Sequence, residues 1–444
     1  MKQRIKLTII FASLSIILFC SCLSTAVTEY STDATVTAFS IRNDSVPAMA
    51  KTTFSIDAVA HVIYNVDSLP FHCKTLKAFP TVTATSSSGF LFNDTVYKSS
   101  DSIDFVRPQK LTNVAEDGTT RIDYAISVRK HTVDPDSIVW KHRVYPAVPG
   151  TITDEKAVYY KAMGRILVNT GSSITVYSSI DGKSWDSGIA TDLPSSTKLS
   201  PLTLFQDSLF LINSDGQHVL KSGDGIHWKA AQISGTANLY NLIGVINQTL
   251  WAITYNGGTS YTFAKSLDGI KWTTGDALPS DFPVSDFTSV SFLPPAGQSK
   301  IVVIGGYNAQ NAIVNSVYTY TELSDPWVRM DGKTKGEVDL RPRAGSSVVW
   351  YNNQLMMLGG KTTTALLPDT MLWSKTEGQI WTKGDSLTLI PKSLLYAPRM
   401  HQSVFVDQYY RIWIAGGQDL NGVYNRDLWV GRLNKLGFPF GSLD

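Results

Sequence analysis

The chain has 444 residues, of which 17% are charged and 43% hydrophobic, enough to build more than one folded domain. Its formal charge of +2 falls to −1 once the leader residues Lys2, Arg4 and Lys6 are set aside, which argues against a nucleic-acid partner held by a general basic field. Three cysteines and seven scattered histidines, with no His-x-x-x-His and no paired-cysteine spacing beyond the leader, provide neither a disulfide framework nor a metal site, and no cofactor is expected.

Residues 1–21 read as a targeting segment. Lys2, Arg4 and Lys6 precede an apolar run, Leu7 to Phe19, that is too short to span a bilayer. Phe19-Cys20-Ser21-Cys22 follows and resembles a bacterial lipoprotein signal, with small Ser21 ahead of Cys22. The resemblance implies lipid attachment at Cys22. Leu23 in the next position implies outer-membrane sorting, with the membrane touched through the lipid anchor only. An ordinary cleaved secretory signal is the alternative. The Ser/Thr-rich stretch over 22–33 reads as a tether.

Residues 34–130 alternate in short strands: 35–41, 53–56, 61–64 and 122–128. Asp117-Gly118 before the last of these is a hairpin signal. About a hundred residues of this kind predict an immunoglobulin-like β-sandwich. Cys73 lies within it and reads as a small half-buried hydrophobe. Residues 131–150 carry Pro135, Pro146, Pro149 and Gly150 and read as a linker.

From 151 to 444 the chain reads as a propeller. Ser-x-Asp-Gly-x-x-Trp occurs three times, ending at Trp185, Trp228 and Trp272, with intervals of 43 and 44 residues. Degenerate copies end at Trp327 and Trp381. Ser and Asp side chains can bond turn amides, Gly can take a positive φ, and Trp can cover the turn. A period of roughly 40–50 residues is that of a four-stranded propeller blade. Six apolar runs, near residues 166, 210, 251, 302, 356 and 413, each read as the second strand of a blade buried on both faces, so six blades are expected. Closure is left to the tail around 431–433 or to a strand near residue 140.

The last three blades also carry glycine pairs, Gly305-Gly306, Gly359-Gly360 and Gly416-Gly417, and Pro-Arg at 342–343 and 398–399. This resembles the kelch repeat over roughly 285–432, while the earlier turns resemble the Asp-box of sialidase-type propellers. The whole is similar to uncharacterised bacterial lipoproteins with an N-terminal β-sandwich and a kelch or galactose-oxidase-like propeller. A galactose-oxidase cofactor is excluded, because no cysteine follows Cys73. A sialidase would need an arginine triad, and no arginine stands in the first blade's opening strand. Some kelch-type propellers epimerise acidic sugars, and that resemblance implies a base, an acid and a cationic anchor at the channel. Glu337, Arg343, Arg399 and His401 are the candidates, although the two arginines also fit structural positions bonding a neighbouring blade. The expected function is non-catalytic binding of a glycan or an envelope protein. A sugar epimerase or mutarotase is the rival, and a purely structural envelope component is the third reading.

Overall fold

In a computed structural model, the structure describes residues 29–435 apart from 236–237, 296, 325–326, 331, 335–337 and 368–370. The leader, Cys22 and Glu337 lie outside the described residues. The chain divides into two compact units that meet at Pro135 and Asp136.

The first unit is a β-sandwich. One sheet pairs Val36–Arg42 with Lys77–Ala84 and Ile103–Asp104. The other runs, in spatial order, Phe54–Asp57, Val62–Asn65, Arg121–Ser127, Gln109–Val114, Gly89–Phe92 and Thr95–Val96. Alternate residues from both sheets meet in one core, including Val36, Phe39, Ile41, Ile63, Leu111, Tyr124 and Ile126. The Asp117-Gly118 turn joins Gln109–Val114 to Arg121–Ser127, with Gly118 at φ +72° and the Asp117 carboxylate accepting the Thr119 and Thr120 amides. Cys73 is more enclosed than its sequence suggests, at 5% exposure inside this core, and burial pushes its thiol pKa up.

The second unit is a propeller of six four-stranded blades, the fifth extended by two short strands. The first strands are Asp154–Tyr160, Thr203–Phe205, Leu239–Ile246, Thr288–Phe292, Ser347–Tyr351 and Ser403–Val406. The second strands are Met163–Asn169, Ser208–Ile212, Thr249–Tyr255, Lys300–Ile304, Gln354–Leu358 and Ile412–Ala415. These contain the six apolar runs, and they are buried because each has a strand on either side and a blade against each face.

The Asp-Gly turns join third to fourth strands. In the first three blades the serine Oγ accepts the glycine amide at 2.8–2.9 Å, and the Asp Oδ1 accepts the next amide at 2.8 Å. Trp228 and Trp272 donate their indole N–H to the carbonyl of the turn glycine. Trp381 does the same to Gly378, although Thr376 there replaces the aspartate. Trp185 differs and donates to the Val144 carbonyl.

Closure corrects the linker expected over 131–150. Ser137–Arg143 is the outermost strand of the sixth blade, paired residue for residue with Leu428–Asn434 from Ser137↔Asn434 to Arg143↔Leu428. The two closure candidates are therefore partners of one another. The prolines that suggested a linker flank this strand and do not interrupt it. Trp140 lies across Gly431, where a Cβ would come within 2.5 Å of its ring, and its indole N–H reaches the Thr388 carbonyl at 3.0 Å.

Candidate functional site

The first strands of all six blades line a central channel of about 690 Å³. Side-chain hydroxyls stitch neighbouring strands together. Ser289 bonds the Ile243 carbonyl, Thr288 and Ser403 accept the Val348 and Ala157 amides at 2.8 Å, and Ser347 bonds the Gln402 carbonyl. The Val348 and Ala157 bonds repeat one pattern, and Val245 N–H to Ser291 follows Ile243 to Ser289, so these strands run the same way around the channel. Their far ends are aromatic: Phe292 stacks on Trp350 at 4.3 Å, and Tyr159 lies parallel to Phe405 at 6.3 Å.

The other end, where the first strands begin, is charged. Asp286 and His401 each stand two residues ahead of their strands, and Gly345 occupies the same place in the blade between them. All three have positive φ: +50°, +65° and +57° in chain order. Backbone bonds link them in series, Gly345 N–H to the Asp286 carbonyl and His401 N–H to the Gly345 carbonyl. His401 Nε2 comes within 3.3 Å of Asp286 Oδ2, in ion-pair range but not aligned for a hydrogen bond, while Nδ1 faces Gln418 Oε1 at 3.3 Å. Left-handed backbone at an aspartate and a histidine is strain that this packing must hold in place.

Asp154 and Lys156 enter from the first blade. Alternation along the strand puts both on one face, and Lys156 lines the channel. Burial pushes the Lys156 pKa down, against the pull of Asp154. Burial pushes Asp154 up, although its carboxylate accepts the Leu199 amide at 2.8 Å. For His401, burial opposes the charge, but Asp286 outweighs it and the pKa rises. Burial likewise opposes the Asp286 charge, and His401, Lys361 and Lys198 together hold that carboxyl below its ordinary value. The mouth thus gathers Lys156, Lys198, Lys361 and His401 around two carboxylates. Ser346 Oγ and His401 Nε2 there are sealed from solvent and make no hydrogen bond; the same holds for Gln402 Oε1, whose amide packs under Gly359 and donates to the Leu358 carbonyl.

Among the described residues expected to bind a ligand, His401 stands at this mouth beside Asp286. Arg399 is 1% exposed and turned into its own blade. Its guanidinium donates to the Ala397 and Gly416 carbonyls at 2.9 Å, forks onto both Asp427 carboxylate oxygens, and lies 4.3 Å over the Tyr396 ring. That is a structural use, and it corrects the expectation of a ligand anchor. Arg343, the equivalent residue of the fifth blade, is 4% exposed with Nε on the Arg341 carbonyl, so it too belongs to the fold. Glu337 lies outside the described residues.

Sequence reasoning missed Asp154, Lys156 and Asp286, yet the glycine pairs carried a signal for the kelch-like blades. A Cβ on Gly306, Gly360 or Gly417 would meet the carbonyl of Ser285, Ala344 or Met400 at 2.5–3.0 Å. Each second glycine thus abuts the residue just before a mouth position. A further acid, Glu155, belongs to the seam between first and sixth blades. It accepts the Gly417 amide at 2.6 Å and the Tyr145 hydroxyl, and it fills the space a Cβ on Gly416 would need. Burial pushes its pKa up to about 7, against those two bonds.

Residues 134–439 match the family model described as the DUF6242 beta propeller domain, and residues 24–128 match the DUF6242 N-terminal domain, a domain of unknown function. The comparison with curated proteins finds no match. Among solved structures, one titled "Structure of YjhT" is similar at 13% identity and a TM-score of 0.47, over 63% of this chain and 94% of that one.

Proposed function

The chain belongs to the DUF6242 family, and on that footing we propose that its propeller is a binding module of the cell envelope whose channel mouth holds an acidic sugar. One observation carries this reading: Lys156 lines the channel, and His401 stands at the start of a channel-lining strand, with Lys198 and Lys361 close enough to act on its partner Asp286. A carboxylate-bearing sugar offers a counter-charge to the cations gathered there. The channel has the volume of small-ligand sites. The leader supports placement at the outer membrane through lipid on Cys22. Among the described residues no helix is long and apolar enough to cross a membrane.

The test is a glycan array probed with the full chain beside Lys156→Ala and His401→Ala. Acidic glycans should be retained by the parent and lost by at least one variant. Retention of acidic glycans by both variants would move the site away from the mouth, and no retention by the parent would end the acidic-sugar reading.

A second reading, a sugar epimerase or mutarotase, is favoured by the His401–Asp286 pair. A carboxylate that biases imidazole protonation at a channel is what proton transfer at an anomeric centre requires. Exchange between anomers of a sialic acid, followed by proton NMR, would then be faster with the parent chain than with His401→Ala.

A further inference from the structure

The third blade carries a cluster of aromatic rings that the mouth does not use. Tyr255 ends the second strand, Tyr261 begins the third, and Tyr240 lies near the start of the first. Tyr255 and Tyr261 therefore flank one hairpin tip, where residues 256–260 are all exposed. The Tyr261 ring centroid is 5.2 Å from both Tyr240 and Tyr255, and those two are 6.2 Å apart. Tyr240 is 39% exposed and the other two are half-buried. The first strand of this blade runs alongside that of the fourth in the same direction, so the cluster opens on the face that carries Asp286.

Three tyrosines gathered at a hairpin tip cost the fold exposed apolar area, and single exposed rings are the ordinary case. The Tyr261 hydroxyl pKa is raised by burial and then by Tyr240 and Tyr255. The neighbours that offer hydrogen bonds are neutral: Asn238 receives Gln217 Nε2 at 3.3 Å, and exposed Asn256 reaches the Thr262 hydroxyl. Rings with apolar faces and hydroxyl rims, beside amides, match a pyranose, which presents a C–H face and a rim of hydroxyls. Amide neighbours bring no counter-charge for an acidic sugar, for which the mouth is the better fit.

We propose that Tyr240, Tyr255 and Tyr261, whose rings are inclined to one another by 43–68°, form a second carbohydrate site, an angled aromatic cluster for a neutral glycan. The proposal does not rest on the mouth reading. Its test is an array of neutral α- and β-linked glucans, mannans, galactans and xylans, probed with the full chain, Tyr240→Ala, Tyr255→Ala and Tyr255→Phe. Retention of at least one neutral glycan is expected, with affinity falling tenfold or more in both alanine variants and by less than threefold in Tyr255→Phe. Lys156→Ala and His401→Ala should leave this binding unchanged, which separates the cluster from the mouth. Thermal melts of each variant within a few degrees of the parent confirm that the fold is intact. The proposal is overturned if no neutral glycan is retained, if the alanine variants bind as the parent does, or if neutral binding is lost with Lys156→Ala instead.

Discussion

His401 Nε2 and Asp286 Oδ2 stand 3.3 Å apart although they come from the sixth and fourth blades. Gly345, in the blade between, lets them meet: a Cβ there would come within 2.7–2.8 Å of the His401 ring. The channel mouth depends on a side chain that is missing as much as on the two that are present.

Gly345→Ala tests that relationship. A methyl group must displace His401, and the residue must hold φ at +65°, at a cost of about 1 kcal/mol or more. NMR titration of the His401 ring should show its raised pKa falling back toward the ordinary histidine value. The ion pair stabilises the parent fully below the ordinary histidine pKa, and this contribution is lost as pH rises through the raised value. The variant should show a weaker loss. An unchanged His401 titration would mean that Asp286 is not what holds the proton.

Glu155 sets a second pH dependence. Its folded pKa of about 7 lies above the ordinary 4.5, so the folded state binds the proton more tightly. The contribution of Glu155 to stability is therefore greatest below about 4.5 and declines as pH rises to about 7, by roughly 3 kcal/mol at most. Melting temperatures from pH 4.5 to 8 should fall across this window in the parent. Glu155→Gln should flatten that fall, and an equally steep fall in the variant would remove Glu155 as its source.

Trp140→Ala tests closure. Trp140 is 6% exposed and anchors the strand that completes the sixth blade. The loss should be about 3–5 kcal/mol by denaturant titration. A loss below about 1 kcal/mol would mean that the strand pairing closes the ring without its tryptophan.

Arg399→Ala should weaken the protein before it weakens any ligand. It leaves Asp427 without its forked partner and Glu155 without a neighbouring cation, at a cost of about 3–5 kcal/mol. Lys156→Ala should leave the melting temperature nearly unchanged, because burial already works against its charge. The reverse order in the two melts would return Arg399 to the ligand candidates.

The parts legible in the sequence were those that local chemistry repeats. The Ser-x-Asp-Gly-x-x-Trp turns appear as hydrogen-bonded turns in the first three blades because Ser, Asp and Gly satisfy their own backbone within a few residues. The second strands were visible because burial on both faces demands an unbroken apolar run. His401 was singled out because it opens a blade next to a Pro-Arg signal, and the structure sets it beside Asp286. Arg399, chosen by the same rule, was turned inward by Asp427, which lies 28 residues further along the chain.

Apolar patterning and turn chemistry made the all-β class, the two-part division and the number of blades legible, since each shows as a pattern that repeats along the chain. Only the tertiary structure decided that Ser137–Arg143 closes the ring, that Lys156 and Asp286 join His401, and that three tyrosines converge on the third blade. Those are relations between residues up to about 300 positions apart, set by the circular packing of blades, and no local pattern in the chain encodes where a circle brings its ends together.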